Sequence, residues 1–446
     1  MGRARFGTDG VRGTANAELT AELALALGHA AARVLRAPTF VVGRDTRRSG
    51  PLLQAALSAG LAAEGADVVD VGVLPTPGVA YCAEQRAVPA AMVSASHNPF
   101  ADNGIKLFGP GGTKLAVEVE ASVEAAIDAV LGADTVPGPT GRGVGTIASD
   151  GGAAAAYGRH LAGALDGRRL DGLRVVLDCA NGAAADVAPT TFEALGAQVT
   201  TVACDPDGAN INDGCGSTHP DALAAAVLAT GAGLGLAFDG DADRVVAVDH
   251  TGSVVHGDRL MALFALDLAS RDELTGNTVV VTVMTNLGFR LAMTERGIRV
   301  LETPVGDRHV LMALEADGLA LGGEQSGHIV FRHRATTGDG VLSGLLLADL
   351  LVRSGRSLPE LADGLMEQLP QVLVNVRVTD ADRLSDAGPV WAAVREAEAR
   401  LGDAGRVLLR PSGTEPLVRV MVEAATEDEA ADVAQSLAGV VERALG

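Results

Sequence analysis

Asp239, Asp241 and Asp243 stand at alternate positions in Asp-Gly-Asp-Ala-Asp-Arg, directly after the apolar run Gly-Leu-Gly-Leu-Ala-Phe. Three carboxylates separated by small residues can fold around one hard divalent cation. Three Asp ligands leave coordination positions open, which favours magnesium completed by a phosphate oxygen. The stretch is not an EF-hand: its sixth residue is Arg244, where that loop needs Gly, and its twelfth is His250, not Glu. Asp-x-Asp turns are also common on solvated surfaces, so the metal reading needs support from elsewhere in the chain.

Three further polar loops supply it, each following an apolar run. Ala90-Ala91-Met92-Val93 breaks off into Ser94-Ala95-Ser96-His97-Asn98-Pro99, where proline forbids a continued helix or ladder. Gly322-Gly323-Glu324-Gln325-Ser326-Gly327-His328 offers a carboxylate, an amide and a hydroxyl, the planar hydrogen-bonding groups that read sugars. Arg410-Pro411-Ser412-Gly413-Thr414, with Arg419 nearby, has the makings of a phosphate cradle. Taken singly, each of the last two reads about as well as an ordinary turn. Four such loops spread along the chain point to one cleft, because ligands gather at the carboxyl ends of strands in open α/β sheets.

Metal, phosphate, sugar and serine loops together indicate phosphoryl transfer on a sugar phosphate, a chemistry of positioning and charge neutralisation. Ser96 is the expected phosphate carrier. Ser94 lies nearer the strand and reads as a backbone-bonding serine. His97 and Lys106 are placed to stabilise charge or to move the sugar hydroxyl's proton. Among 35 Lys and Arg residues only Lys106 and Lys114 are lysines. Either the chain keeps a compact amine that can give up its proton, or both are chance survivors on a surface loop. Phe6 to Gly13 and Gly43-Arg44-Asp45 also set an arginine, Arg12 or Arg44, beside Gly or Asp, useful for phosphate but often only structural. No glycine precedes a lysine, which excludes a P-loop, and no strand leads into G-x-G-x-x-G.

The elements that must position these loops alternate strand and helix, the pattern of parallel or mixed sheets with crossover helices. Helical periodicity runs over about 19–36, 50–64, 117–131, 153–165, 338–354 and 426–443. Short β-branched runs fall between, among them TFVVGRD, RVVLDCA, RVVAVD, NTVVVTV and LVRVMVEA. A chain of 446 residues exceeds one hydrophobic core. Joints at 132–145, 249–253 and 369–371 divide it into a phosphoserine-loop domain (1–150), a metal-loop domain (151–252), a sugar-loop domain (253–369) and a phosphate-loop domain (370–446). The last reads β-α-β-β-α.

The net charge of −21 disfavours nucleic acid and anionic membranes as partners. No apolar leader or bilayer-length run is present, and Cys82, Cys179, Cys204 and Cys215 show no C-x-x-C spacing. A cytoplasmic protein with reduced thiols is expected.

Ser-Ala-Ser-His-Asn-Pro followed by Asp102-Asn103-Gly104-Ile105-Lys106 resembles the phosphoserine loop of the α-D-phosphohexomutase superfamily. The loops at 239–244, 323–328 and 410–416 resemble its metal, sugar and phosphate loops, in the same order. FGTDGVRG at the start, GRDTRRSG at 43–50 and NINDGCGSTHP at 210–220 extend the likeness over essentially the whole chain. Gln325 and Thr303-Pro304-Val305-Gly306-Asp307-Arg308 are similar to the amino-sugar branch, although His309 stands where a tyrosine is more usual.

The resemblance implies three similar α/β mixed-sheet domains and a smaller C-terminal α+β domain around a central cleft. It implies a phosphorylated Ser96, with Asp239, Asp241 and Asp243 holding Mg²⁺ beside that phosphate. Arg12, His97 and Arg244 would face the same phosphate, with Lys106 as acid or base. Gly306, Asp307, Arg308, Glu324, Gln325 and Ser326 would grip the sugar, and Arg410, Ser412, Gly413, Thr414 and Arg419 the phosphate that does not transfer. The substrate would be glucosamine 6-phosphate, with glucosamine 1,6-bisphosphate as intermediate and activator. A homodimer is also in keeping with the superfamily. The alternatives are the same chemistry on glucose or mannose phosphates, a serine phosphohydrolase, and a non-catalytic sensor; the last would typically have lost the serine or an Asp.

Overall fold

The computed structural model describes residues 6–7, 10–412 and 416–446. They form two compact units, one of Met1–Val283 with Leu301–Asp363 and one of Met284–Val300 with Gly364–Gly446. Among the described residues no helix is long and apolar enough to cross a membrane.

The first unit contains three sheets with one recurring plan. In the first, Thr39–Arg44 lies parallel between Asp67–Val73 and Ala90–Val93, and Ala90–Val93 pairs antiparallel with Asp102–Phe108. In the second, Arg174–Asp178 lies parallel between Gln198–Val202 and Leu234–Phe238, and Leu234–Phe238 pairs antiparallel with Val245–Asp249. In the third, Thr278–Thr282 is parallel to Leu321–Gly323, which pairs antiparallel with Ile329–Phe331. Each sheet thus turns from parallel to antiparallel at one point. The loops at 94–101, 239–244 and 324–328 occupy that same point in the three sheets.

The inner strands Ala90–Val93 and Leu234–Phe238 are buried throughout, as continuous apolar runs in covered parallel sheets should be. Helices form where the periodicity places them, at Ala21–Leu35, Gly50–Ala63, Val117–Leu131, Ala153–Gly163, Gly340–Ser354 and Glu427–Leu445. Thr20, Asp339 and Thr426 cap three of these by accepting from backbone N–H groups of the first turn. Weakly amphipathic helices such as Thr76–Arg86 and Asp221–Thr230 carry too little periodicity to be found that way.

The second unit holds a three-stranded antiparallel sheet with Leu417–Glu423 between Gln371–Arg377 and Arg406–Pro411. Helices Gly388–Leu401 and Glu427–Leu445 complete the β-α-β-β-α order. Helix Leu287–Glu295, from the preceding third of the chain, belongs to this unit too. The fully buried Glu423 accepts from Leu287 N at 2.9 Å and from Arg406 Nε at 2.7 Å, so a buried charge ties that helix to the sheet.

Candidate active site

The serine loop is built from a buried truss. Ser94 Oγ donates to Asp45 Oδ2 at 2.6 Å and accepts from Ser96 N at 3.0 Å, the backbone-bonding role its position suggested. Asp45 pairs with Arg47, both side chains fully buried. Burial raises the Asp45 carboxyl above its ordinary range, and the Arg47 guanidinium works against that rise. Arg47 also donates to the carbonyl oxygens of Ser96, Asn98, Pro99 and Asp102. The truss holds Ser96 at φ 52°, a left-handed conformation that costs a non-glycine residue about 1–3 kcal/mol. So held, Ser96 Oγ donates to Asp239 Oδ2 at 2.6 Å.

The three Asp side chains offer ligand atoms within 4.8 Å of one another, all buried. Burial, then repulsion by Asp243 and Asp241, pushes Asp239 well above the carboxylate range. Burial would raise Asp243 likewise, but Lys106, His328 and Arg244 hold it well below that range. Lys106 Nζ, Met92's partner across the first sheet, reaches Asp241 Oδ2 at 2.9 Å and Asp243 Oδ2 at 3.4 Å. Thr76 donates to the same Asp241 Oδ2 through its hydroxyl, 2.6 Å, and to the Asp241 backbone carbonyl through its N–H, 2.9 Å. Asp241 Oδ1 and Asp243 Oδ1 are buried with no hydrogen-bond partner. Two orphaned carboxylate oxygens in a three-carboxylate cluster fit a divalent cation with oxygen ligands, which would also keep all three ionised.

Cations converge on the open side. Arg244 Nη1 donates to His97 Nδ1 at 3.2 Å, and Ser96 Oγ lies 3.3 Å from the same nitrogen. Burial, Arg244 and Arg12 lower His97 to about 4, so it is neutral at pH 7. Arg12 Nη1 reaches Ala95 O at 3.4 Å.

The sugar-type loop packs directly on the metal loop: Val245 N donates to Gly327 O at 3.0 Å, and His328 Nδ1 lies 3.8 Å from Asp243 Oδ2. Gly338 N–H donates to His328 Nε2, which leaves the Nδ1 proton facing Asp243. Glu324 Oε1 accepts from Gly306 N at 3.0 Å, bringing Gly306-Asp307-Arg308 beside it. Asp307 and Arg308 are anchored to the first third of the chain, Asp307 by Lys114 at 2.6 Å and Arg308 by Glu120. Lys114 therefore links two distant parts of the chain. Gln325 and Ser326 are half-buried, and Ser326 Oγ has no partner.

In the second unit Arg410 and Arg419 stand opposite each other on neighbouring strands. Partial burial and then Arg419's charge lower the Arg410 guanidinium. Nε of both arginines and Ser412 Oγ are buried with no hydrogen-bond partner among the described residues, donors of the kind that bind an anion. Gly413 and Thr414 lie outside the described residues.

Arg47, Thr76, His328 and Asn212, whose Nδ2 donates to Ser96 O at 2.9 Å, are structural supports that residue spacing does not reveal. Apart from Asp45, two residues from Arg47, the partners that give them these roles are too far along the chain for local spacing to signal them.

Four family models match in sequence. Phosphoglucomutase/phosphomannomutase alpha/beta/alpha domains I, II and III match residues 3–132, 155–252 and 256–369, and the C-terminal domain of the same family matches 373–440. The chain belongs to this family, and its sheets and smaller C-terminal unit are the four-domain phosphohexomutase architecture. Its full-length relatives narrow the class to the phosphoglucosamine mutases. That of Streptomyces griseus is 54% identical over 455 residues, covering 100% of both chains. That of Salinispora arenicola is 56% identical, covering 100% of this chain and 99% of the relative. Among solved structures, a phosphoglucomutase/phosphomannomutase family protein from Burkholderia thailandensis superposes with TM-score 0.81 at 27% identity, covering 98% of this chain and 97% of that one. The fold is also that of Aspergillus fumigatus N-acetylphosphoglucosamine mutase in complex with GlcNAc-6P and magnesium, at TM-score 0.69 and 20% identity, covering 100% of this chain and 96% of that one.

Proposed function

We propose that this chain interconverts glucosamine 6-phosphate and glucosamine 1-phosphate in the cytoplasm, with Ser96 carrying the phosphate between them. The observation that carries the reading is the 2.6 Å hydrogen bond from Ser96 Oγ to Asp239, in a loop whose backbone is over-determined by a buried truss. A serine fixed against a carboxylate cluster suits a phosphate exchanged between protein and sugar.

In the forward direction the phosphate on Ser96 passes to the C1 hydroxyl of glucosamine 6-phosphate. The Ser96 Oγ–P bond breaks and the O1–P bond forms; the Lys106 ammonium gives a proton to the departing Ser96 Oγ and takes up the sugar hydroxyl's proton in its place. The resulting glucosamine 1,6-bisphosphate turns end for end, and Ser96 reclaims the phosphate from O6. Asp239, Asp241 and Asp243 would hold Mg²⁺ there, and the ion would neutralise charge on the transferring group. Arg12, Arg244 and neutral His97 face that phosphate. Glu324, Gln325 and Ser326, with Gly306, Asp307 and Arg308, orient the sugar. Arg410, Ser412, Gly413, Thr414 and Arg419 hold the phosphate that does not react.

Phosphorus NMR of the protein with Mg²⁺ and trace sugar bisphosphate tests this with glucosamine, glucose and mannose 6-phosphates supplied separately. The 1-phosphate signal should grow fastest from the amino sugar and vanish in Ser96→Ala. Faster conversion of glucose or mannose 6-phosphate overturns the substrate, and net release of inorganic phosphate overturns the mutase.

A further inference from the structure

Tyr157, on helix Ala153–Gly163, and Asp339 have no role in the chemistry above, yet they form a buried pair in which Tyr157 Oη donates to Asp339 Oδ2 at 2.7 Å. The other carboxylate oxygen of Asp339 accepts from Leu342 N at 2.9 Å and caps helix Gly340–Ser354. The Asp339 backbone carbonyl accepts from Ser343 Oγ at 2.7 Å. Side chain and carbonyl are both fixed, and with them the path of residues 338–340 into the helix.

Two backbone donors of that turn end on the reactive loops. Gly340 N donates to Ala242 O at 3.0 Å, and Gly338 N donates to His328 Nε2 at 3.2 Å. Ala242 lies between Asp241 and Asp243, fully buried, at φ 55°, a conformation that a non-glycine residue keeps only where its surroundings hold it. Its own N–H is satisfied inside the loop, by Asp239 O at 3.0 Å, whereas its carbonyl is held from outside, by Gly340. The fit leaves no slack. A Cβ on Gly340 would lie 2.2 Å from Arg244 O, and one on Gly338 would lie 2.4 Å from His328 Nε2.

We propose that Asp339, braced by Tyr157, is a positioning residue for the cation site. It aims Gly340 N–H at Ala242 and Gly338 N–H at His328, and so sets the spacing of Asp241 and Asp243. The proposal rests on the reading of the three Asp as a divalent-cation site. Without the carboxylate, Leu342 N–H and the Tyr157 hydroxyl are left buried and unsatisfied, and the turn relaxes its hold on Ala242. Asparagine at 339 can offer an oxygen to Leu342 N–H and an N–H to Tyr157 Oη, which preserves both bonds. Removing a group that orients metal ligands costs roughly 10–100-fold in metal affinity. Asp339 acts at one remove, through Gly340, which puts the loss at the lower end.

The test is binding of Mn²⁺ alone to the full chain, read from the electron paramagnetic resonance signal of the free ion. Asp339→Ala should bind Mn²⁺ about tenfold more weakly than the parent, and Asp339→Asn should match the parent. Tyr157→Phe, which deletes only the hydroxyl, should weaken binding by a smaller factor and serves if the alanine variant does not fold. Thr20→Ala removes a cap of the same kind from helix Ala21–Leu35 and should leave Mn²⁺ affinity unchanged. Parental affinity in both Asp339→Ala and Tyr157→Phe overturns the proposal, as does an equal loss in Thr20→Ala or a failure of Asp339→Asn to restore binding. A parent chain that binds no Mn²⁺ overturns the cation site itself and the proposal with it, so the two failures are told apart.

Discussion

Arg47→Lys isolates the truss under the reactive serine. A guanidinium has five N–H donors, and Arg47 spends all of them: Nε on Asp45, Nη1 on Pro99 O and Asp102 O, Nη2 on Ser96 O and Asn98 O. Lysine keeps the charge but brings three donors, so at least two acceptors lose theirs. A buried polar group left unsatisfied costs roughly 1–3 kcal/mol. Asn212 Nδ2 also donates to Ser96 O and Asn98 O, and Asp102 N also donates to Pro99 O, which places the loss at the low end. The expected destabilisation is about 2–3 kcal/mol, a sizeable share of the roughly 5–15 kcal/mol that folded proteins command. Arg47→Met, which leaves the Asp45 charge buried and unpaired, should cost about 3–5 kcal/mol. Urea unfolding reads the stability, and steady-state kinetics reads the aim of Ser96. kcat should fall more than tenfold in Arg47→Lys with KM changed less, because the truss touches the serine loop and none of the sugar-binding groups. A lysine variant within 0.5 kcal/mol of the parent that keeps its kcat would refute the reasoning.

Gly240→Ala should cost about 1–3 kcal/mol and lower turnover, because a Cβ there would lie 2.7 Å from Ser96 O and 2.9 Å from Asn212 Nδ2. Gly151→Ala, whose Cβ enters open space, is the matched control and should change neither; equal behaviour of the two variants would count against close packing of the serine and metal loops. Asp339, which caps helix Gly340–Ser354 and accepts from Tyr157 Oη at 2.7 Å, is raised by burial to about 6, with Leu342 N–H and Tyr157 opposing. The folded chain therefore keeps that proton after the unfolded chain has lost it, and this contribution to stability is lost as pH rises from about 4 through about 6. The shift is worth roughly 3 kcal/mol, so the stability of Asp339→Asn relative to the parent should rise across that window in paired denaturation curves. A difference that stays flat from pH 4 to 7 would show that burial does not hold the proton.

The sequence announces Ser96 and the three Asp because both signals are local. A strand broken by small polar residues and Pro99, and carboxylates at alternate positions, are legible within ten residues. The charge and hydrogen-bond partners that make those groups usable are not local. Asp241 is held by Thr76 and Lys106, and Ser96 O by Arg47 and Asn212, contacts that only the folded topology creates. Likewise, Asp307 and Arg308 read as sugar ligands on motif alone, whereas the fold also gives them Lys114 and Glu120 as partners. The long amphipathic helices and β-branched strands were readable from periodicity; Thr76–Arg86 was not, because its pattern is weak and its N-terminal Pro77 disguises it.

The three reactive loops of the first unit meet because each occupies the same turn from parallel to antiparallel pairing in its sheet. That topology brings main chains together more closely than side chains allow. A Cβ at Gly240 would strike Ser96 O, one at Gly327 would come within 2.0 Å of Val245 O, and one at Gly340 within 2.2 Å of Arg244 O. Gly327 also sits at φ +88°, where an L side chain is strained in any case. The glycines at these three junctions are what let serine, metal and sugar loops share one floor. The chain's 56 glycines read as unremarkable α/β composition, yet some of them stand at the contacts on which convergence depends. The physical reason is that phosphoryl transfer demands several charged groups around one small centre, and only loops without side chains at their crossings can be packed that tightly.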